Sequence, residues 1–368
     1  MLIDSQKKTL KTLVNYLKEY GFFDIFNMHD TEQSQLNTLK INLHNMTKEL
    51  RLIISFFTLG ELVSQSEIAQ CIPKNILDVL EETNLIQEKD SLLQTKGLRL
   101  LSHYGAAIFC DIPSLDAKRY YGTDSMMLGR LIQCPKGKVL DLCGGIGSQG
   151  ILCAKTAESV ISVELQSDVK PVFDVNAVLN DVEDRIEFRP GNFLTAVEGE
   201  KFDYVYCNPP FLPVPEKFNL PVIADGGQDG LQFTKTLLKQ ANNILKDNGQ
   251  ISLIGMCFGN LERPFLGEIE EIAIKAELNL QIMLLFKVKL KLDGRVVNNF
   301  VKMALSSSNN EMNTLEAYKL HFQNMDATYL YSFCLTARKR KFSEKSSIVK
   351  IKSAMNQFVN EFEDRLLA

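Results

Sequence analysis

The fold of this chain is decided by the stretch "VLDLCGGIGSQG", residues 139–150, where an apolar run leads directly into a cluster of glycines. The apolar residues predict a buried strand, and the residues after the glycines predict the start of a helix. Glycine allows a tight turn and lets a ligand approach the backbone, while the first amides of the helix are free to donate. This stretch therefore predicts a ligand-binding loop between a strand and a helix.

Outward from this loop, apolar runs alternate with helical stretches such as "DVKPVFDVNAVLN", residues 168–180. The predicted strands are "KVLDLC", "SVISVEL", "RIEFRP", "FDYVYCN" and "GQISLIGM". This alternation predicts an α/β fold with a Rossmann-like, doubly wound sheet. Later, "LQIMLLFKVKL" and "VVNNFVKMALS" flank Asp293-Gly294, a turn signal, and predict an antiparallel hairpin that completes seven strands.

The residues before the sheet region are mainly helical in pattern. "SQSEIAQCI", capped by Ser66, and "PKNILDVLEETNLI", with Pro73 near its start, predict two short helices. A strand, a turn at Lys89-Asp90 and a second strand follow, which is the outline of a winged helix-turn-helix. We divide the chain into a winged-helix-like domain (1–100), a connecting segment over the active site (101–137), the sheet domain (138–308) and a largely helical C-terminal extension (309–368).

Composition restricts the functions open to the chain. The net charge of -4 and the 11 Lys/Arg against 13 Asp/Glu in residues 1–100 argue against DNA binding and favour a dimerisation or lid module. The basic run at 338–341 is interpreted as a solvated face. Eight scattered cysteines without a C-x-x-C pair and four separated histidines predict a reduced, cytoplasmic protein without a metal site. No long apolar segment or signal peptide is present, so no membrane association is expected.

Two acidic side chains accompany the glycine loop. Asp141 precedes the glycines within the strand, where a carboxylate attracts a cationic ligand. Glu164 ends the next strand, 19 residues after Gly145, and a carboxylate there accepts hydrogen bonds from ribose hydroxyls. Taken alone, this pattern fits a nicotinamide dinucleotide equally well.

A second motif follows the fourth strand. "FDYVYCNPPF" ends in Asn208-Pro209-Pro210-Phe211, at the carboxyl edge where doubly wound sheets bind ligands. Together with the glycine loop, this motif resembles the class I S-adenosylmethionine-dependent methyltransferases, and among them the HemK-like N-methyltransferases of the small methyltransferase domain with an N-P-P-[FY] signature. The resemblance covers about residues 118–305.

The resemblance implies S-adenosylmethionine as the cofactor and assigns roles to individual residues. The methionine half would lie against Asp141, Gly144, Gly145 and Gly147, and the ribose against Glu164. Asn192 stands where an acidic adenine contact is expected, and Phe193 would line the adenine pocket. Asn208 and the Pro209 carbonyl would accept the two N–H groups of a planar amine on which Phe211 stacks. Pro210 would stiffen this turn, and Tyr121 and Asp124 would fold over the site.

The implied reaction is methylation of a planar nitrogen, either a protein glutamine amide or the exocyclic amine of a nucleobase. "ADGGQDGLQF", residues 224–233, resembles a stretch of the release-factor glutamine methyltransferases; the plain alternative is a helix cap by Asp229 after a flexible glycine turn. Two other functions remain open. One is a small-molecule methyltransferase that forms a homodimer through its winged helix, and the other is a winged-helix regulator that only senses the cofactor.

Overall fold

The computed structural model describes residues 2–28, 33–114, 117–216, 218, 220–305, 311–339 and 348–352. The chain forms two compact units, each made of two segments. The first unit comprises Met1–Pro135 and Gly144–Asn192, and the second comprises Lys136–Cys143 and Phe193–Ala368. In the described residues, no helix has the length and apolar character needed to cross a membrane.

The first unit begins with four helices whose apolar residues recur at helical spacing. They are α1 (Asp4–Glu19), α2 (Phe22–Met28), α3 (Gln33–Asn42) and α4 (Lys48–Ile53). In α1, Leu10, Leu13 and Leu17 form the buried face, as their 3–4 residue spacing dictates. A π-helical turn, Ile54–Thr58, follows α4 and buries Phe56 and Phe57.

A small three-stranded sheet comes next, in the order β1-β3-β2. Its elements are β1 (Val63–Ser64), α5 (Gln65–Ile68), α6 (Lys74–Glu82), β2 (Ile86–Lys89) and β3 (Leu92–Thr95). The two helices and the hairpin lie where the sequence predicts them, but two details differ. Ser64, not Ser66, caps α5, because its Oγ accepts from the Glu67 amide. The hairpin turn is at Asp90-Ser91, which both have positive φ, so the predicted turn at Lys89-Asp90 is one residue early.

The rest of the first unit surrounds the glycine loop. β4 (Leu98–His103) and β5 (Ala106–Asp111) pair antiparallel. After them come α7 (Thr123–Gly129), α8 (Ser148–Ala154), β7 (Ser159–Glu164), α9 (Lys170–Leu179) and β8 (Ile186–Pro190). Strand β6 (Lys138–Leu142) lies between α7 and α8 in the sequence but belongs to the second unit. Strands β7 and β8 are parallel.

The second unit contains β6, β9 (Phe202–Cys207), α10 (Gln232–Lys239), α11 (Ala241–Ile244), β10 (Leu245–Gly259), α12 (Gly267–Lys275), β11 (Leu278–Lys289), α13 (Arg295–Ala304), α14 (Glu311–Asn324), β12 (Tyr329–Lys339) and β13 (Ile348–Lys352). Its strands lie in the order β13-β11-β12-β10-β9-β6. β6, β9 and β10 are parallel, whereas β12 runs antiparallel to both β10 and β11. Both units are therefore α/β, and most of the strand pairs in this sheet region are parallel, as in a Rossmann-like fold.

The end of the sheet differs from the prediction. The second half of the expected hairpin, from residue 296 to residue 304, lies in helix α13, and β11 pairs instead with β12. The chain from residue 329 was expected to be helical, but 329–339 is a strand between β10 and β11. From residue 138 on, the described residues contain eight strands, β6 to β13, one more than predicted. Arg340 and Lys341 of the basic run, and His29, lie outside the described residues.

Helices α13 and α14 pack together over a hydrophobic cluster of the second unit. The cluster includes Phe258 and Leu330 from the strands and Phe300, Tyr318 and Phe322 from the two helices. Val214 and Leu220, from the segment that follows the Asn-Pro-Pro-Phe motif, belong to the same cluster. The helical pair between β11 and β12 therefore forms one core with the segment downstream of that motif.

Candidate functional site

In the first unit, the glycine loop has a backbone that requires glycine. Gly145 and Gly147 have φ of 52° and 84°, and Gly147 is the N-cap of α8. Its amide donates to the Gly144 carbonyl over 2.8 Å, which closes the turn. A Cβ at Gly147 would lie 2.7 Å from the Phe173 ring, whereas a Cβ at Gly145 would have no heavy atom within 4 Å. The loop is thus closely packed on one side and borders open space at Gly145.

Glu164 ties the end of β7 to this loop. One of its carboxylate oxygens accepts from the Gly145 amide over 2.9 Å, and the other accepts from the Gln166 amide over 2.8 Å. The residue is half-buried, and each carboxylate oxygen has a further lone pair to offer. Glu164 therefore shapes the loop and keeps capacity to bind a ligand hydroxyl.

Asn176 on α9 holds the loop from behind, a role that the sequence reading missed. Its side chain is fully buried and donates to the carbonyls of Ile146 and Phe109 over 3.1 and 3.0 Å. Its Oδ1 accepts from the Phe109 amide over 2.8 Å. An asparagine inside the apolar helix "PVFDVNAVLN" is the signal that could have revealed it, because a buried amide needs hydrogen-bond partners.

Tyr121 belongs to a buried chain of hydrogen bonds. Gln149 Nε2 donates to the Ser125 carbonyl over 2.8 Å, which leaves Gln149 Oε1 to accept from His103 Nε2 at 3.4 Å. His103 Nδ1 then accepts from the Tyr121 hydroxyl at 2.7 Å. Burial lowers the pKa of His103 to about 4, so the ring is neutral at pH 7. The chain links the segment before the sheet to α8, directly after the glycine loop.

Two other predicted contacts of the first unit lie at its surface. Asp124, in the first turn of α7, accepts a hydrogen bond from the Tyr120 hydroxyl over 2.7 Å. Asn192 is exposed and follows Gly191, whose amide donates to the Glu164 carbonyl. Leu165, beside Glu164, is 54% exposed, which is unusual for leucine and was not singled out from the sequence.

In the second unit, Asp141 lies inside β6 opposite Tyr206 of β9, and it is buried. Burial, a hydrogen bond to Cys143 and the charge of Asp141 all raise the pKa of the Cys207 thiol well above its usual value. The end of β9 therefore carries a protonated thiol, that of Cys207, near the Asp141 carboxylate. Phe193 has φ of 40° and its ring packs edge-on against Phe233 at 5.3 Å.

The Asn-Pro-Pro-Phe motif follows β9 directly. Asn208 and Phe211 are half-buried, and Pro209 and Pro210 are buried. Beyond them the Leu212 amide donates to the Ala224 carbonyl over 2.8 Å, and the Gly226 amide donates to the Leu212 carbonyl over 2.9 Å. The motif is thus joined on its downstream side to the segment that begins at Ala224.

Residues 224–231, here named the brace loop, support the Phe211 backbone. A Cβ at Gly226 would lie 2.6 Å from the Phe211 Cα and carbonyl carbon, and one at Gly230 would lie 2.5 Å from the Phe211 oxygen. Asp229 Oδ1 accepts from the Leu231 amide over 3.0 Å, which closes a turn before the helix. The N-cap of α10 is Leu231, without a side-chain hydrogen bond, so the predicted helix cap by Asp229 is wrong. The glycines are needed because two stretches of backbone are in close contact.

No group of three or more His, Cys, Asp or Glu side chains is arranged to hold a metal ion within the part of the chain that the structure describes. What the two units offer is a glycine loop with an acidic partner in the first and an amide acceptor on a rigid turn in the second. The first suits a ligand with a ribose, and the second suits a group that carries N–H donors.

Comparison with known proteins adds a family to these features. The family model described as the methyltransferase small domain matches residues 121–279, a range that contains every predicted site residue. A release factor glutamine methyltransferase of Clostridium acetobutylicum is 34% identical over 128 residues, which are 31% of this chain and 45% of the relative. A putative protein N5-glutamine methyltransferase of Methanocaldococcus jannaschii is 26% identical over 167 residues, which are 44% of this chain and 83% of that protein.

Among solved structures, Trm5b from Pyrococcus abyssi aligns with 69% of this chain and 62% of its own, with 17% identity and a TM-score of 0.39. The chain spans about 45% of the length of the first glutamine methyltransferase it matches. The ribosomal protein uL3 glutamine methyltransferase of Francisella tularensis is matched over 44% of its length.

Proposed function

We propose that this protein, whose residues 121–279 match the methyltransferase small domain, is an S-adenosylmethionine-dependent N-methyltransferase that acts on a protein glutamine amide. The observation that carries the proposal is the Asn-Pro-Pro-Phe turn at the end of β9. The brace loop packs so closely against the Phe211 backbone that only glycine fits at Gly226 and Gly230. The relatives named as glutamine methyltransferases favour an amide as the acceptor over a nucleobase or a small molecule.

The residues of the first unit fit the cofactor. Gly145 borders open space and offers its backbone to a ligand, and Glu164 has lone pairs left for the two ribose hydroxyls. Gly144 and Gly147, with Asp141, would hold the methionine half, and Asn192 and Phe193 would contact the adenine. S-adenosylmethionine supplies a methyl group on a positively charged sulfur, which Asp141 would attract.

The residues of the second unit would orient the acceptor. An amide nitrogen is a weak nucleophile because its lone pair is delocalised into the carbonyl. Asn208 Oδ1 and the Pro209 carbonyl would accept hydrogen bonds from its two N–H groups, which stabilises the positive charge that develops as the nitrogen–methyl bond forms and the methyl–sulfur bond breaks. The sulfur is left as a neutral thioether, and the methylated nitrogen gives up one N–H proton to water. Pro210 fixes the turn, and Phe211 would stack on the planar amide. Tyr121 and Asp124, in the segment before the sheet, would contact the cofactor or the substrate. Catalysis then rests on positioning, and no general base of ordinary pKa is required.

The remaining predictions for the whole molecule belong to this proposal. They are a homodimer through a winged-helix-like N-terminal domain and a cytoplasmic location. Residues 1–100 would then serve dimerisation, and residues 101–137 would cover the site. Residues 138–308 would carry catalysis, and residues 309–368 would support the acceptor side.

Calorimetric titration with S-adenosylmethionine and, separately, with NAD tests the cofactor. We expect binding of S-adenosylmethionine alone, and a loss of about 10- to 100-fold in affinity in Glu164→Ala, since a hydrogen bond to a charged group contributes about 1.5–3 kcal/mol. Glu187→Ala is the matched control, because that carboxylate is paired with Arg189 on the exposed side of β8. Binding of NAD with no response to S-adenosylmethionine would overturn the proposal.

A further inference from the structure

We propose that His321, on α14, is a positioning residue for the Asn-Pro-Pro-Phe turn and acts on it through the brace loop. The effect on methyl transfer rests on the function proposed above, whereas the effect on the loop itself does not. His321 lies outside the residues that match the family, in the segment predicted to be a separate extension.

The first step is the contact between the helix and the loop. His321 Nε2 lies 2.7 Å from the Gln228 carbonyl oxygen. Because a carbonyl only accepts, the ring must carry its proton on Nε2. The ring is 9% exposed and packs edge-on against Phe258 at 5.5 Å, with Phe322 beside it. Its orientation is therefore fixed by the hydrophobic cluster, and it presents one donor to the loop.

The second step is the contact between the loop and the turn. Gln228 lies between Gly226 and Gly230, the two glycines whose absent Cβ atoms would collide with the backbone of Phe211. A Cβ at Gly230 would also lie 3.0 Å from the Met256 carbonyl oxygen, on the strand β10. The loop thus fills a narrow space beside Phe211, so a shift of the loop must shift the turn.

The third step concerns how the loop is held elsewhere. Asp229 accepts from the Leu231 amide and forms a 2.6 Å ion pair with Lys235, which also pairs with Glu268 on α12. These bonds fix the end of the loop that enters α10. The start of the loop is held by the Leu212 carbonyl, which accepts from the Gly226 amide. At the middle of the loop, the Gly227 carbonyl accepts from the Val214 amide over 3.0 Å, and His321 holds the next carbonyl, that of Gln228, from α14.

The consequence is that the helical pair inserted between β11 and β12 helps set the geometry of the acceptor side. A positional error of about 1 Å in a group that orients a reactant can cost on the order of 100-fold in rate. The insertion also provides Val297, Phe300 and Tyr318 to the cluster that holds Val214, downstream of the turn. His321 adds a polar contact to this hydrophobic attachment.

Two variants at His321 separate hydrogen bonding from packing. His321→Leu keeps apolar volume but removes the donor, and His321→Gln places an amide donor where Nε2 stands. Hydrogen exchange followed by mass spectrometry, on peptides that cover residues 212–226, reports the amides of Leu212 and Gly226. We expect faster exchange in His321→Leu and protection close to wild type in His321→Gln.

Single-turnover transfer of a labelled methyl group to glutamine-containing peptides is the second readout. We expect a loss of about 10- to 100-fold in rate for His321→Leu and recovery in His321→Gln, with unchanged affinity for S-adenosylmethionine in both. Wild-type exchange in His321→Leu, or equal impairment of both variants, would overturn the proposal. If the wild-type protein transfers no methyl group, the proposed function fails, and the exchange data alone still decide the role of His321.

A second pair of variants tests the contact between the brace loop and the Phe211 backbone and needs no change in α14. Gly226→Ala forces a methyl group against the Phe211 backbone at ordinary φ, whereas a Cβ at Gly267 meets no heavy atom within 4 Å. We expect Gly226→Ala to slow transfer by at least about 10-fold with intact cofactor binding, and Gly267→Ala to match wild type. Full transfer activity in Gly226→Ala would show that the brace loop does not position Phe211, and would overturn the proposal as well.

Discussion

At the scale of single residues, the buried hydrogen-bond chain through His103 shows how neutral groups can fix a segment beside a charged site. The order of donors runs in one direction, from the Tyr121 hydroxyl to His103, to Gln149 and on to the Ser125 carbonyl. A proton added to His103 Nδ1 would turn its acceptor into a donor that faces the Tyr121 hydroxyl. The chain therefore depends on a neutral ring.

This dependence predicts a loss of stability in mild acid. The pKa of His103 falls from 6.5 to about 4 on folding. Below pH 6.5 the unfolded chain binds a proton that the native state rejects, so the free energy of unfolding decreases as the pH falls from about 6.5 towards about 4. The full decrease is about 3 kcal/mol, since one pKa unit corresponds to about 1.36 kcal/mol.

Urea unfolding at several pH values measures this effect. His103→Asn keeps an amide near the position of Nδ1 but does not titrate in this range. We expect the variant to be less stable than wild type at pH 7, and the difference to shrink as the pH approaches 4.5. A difference that stays the same at every pH would contradict the account of His103.

At the scale of elements, two asparagine side chains at the end of α9 bond the backbone of β5 in the way that a neighbouring strand would. Asn176 bonds the amide and carbonyl of Phe109, and Asn180, one turn later, bonds the amide and carbonyl of Ala107. Alternate residues of a strand point their backbone N–H and C=O groups to the same side. Two asparagines one helical turn apart can therefore bond the backbone groups of Phe109 and Ala107 along one edge of β5. Asn176 alone also reaches the glycine loop at Ile146.

Removing the two asparagines one at a time tests which contact serves the loop. Asn176→Ala leaves buried backbone groups of Phe109 and Ile146 without partners, which we expect to cost about 2–4 kcal/mol and to weaken cofactor binding. Asn180→Ala is the matched control. It should cost less, because Asn180 is half-buried, and should leave cofactor affinity unchanged. Calorimetric titration beside thermal unfolding gives both quantities, and equal effects of the two variants on cofactor affinity would refute the assignment.

The strands β6 to β10 were predictable because each contains a short apolar or alternating run close to turn residues. Helix α13 was not, since Asp293-Gly294 between two apolar runs is a strong hairpin signal. The buried residues Val297, Phe300, Val301 and Ala304 have helical spacing, and that period decides the structure. Strand β12 was missed although Ser332, Thr336 and Arg338 all fall on one face, opposite a face that is apolar up to Ala337. This alternation is a strand pattern, and the prediction of a helical extension overlooked it.

The site itself divides in the same way. The glycine loop, Glu164 and the Asn-Pro-Pro-Phe motif carry local patterns that a sequence displays. Asn176, His103 and His321 act across 30 to 93 residues of chain through single hydrogen bonds. Such contacts depend on the packing of whole elements, and no local pattern specifies them.

At the scale of the whole molecule, the family match ends at residue 279, within strand β11, but the residues that follow belong to the same sheet and core as the matched residues. Strand β12 lies between β10 and β11, and α14 reaches the brace loop through His321. The residues before 121 and after 279 are where this chain has the most room to differ from its relatives.

The central claim is that Asn208 orients an acceptor nitrogen for methyl transfer, and one comparison tests it most directly. The rate of labelled methyl transfer in a single turnover is measured for wild type and Asn208→Ala, alongside the affinity of each for S-adenosylmethionine. Asn242→Ala, an exposed asparagine bonded to the Ala276 carbonyl, is the control. The account predicts a loss of about 100- to 1,000-fold in rate for Asn208→Ala alone, with unchanged cofactor affinity. Transfer at the wild-type rate in Asn208→Ala would contradict it.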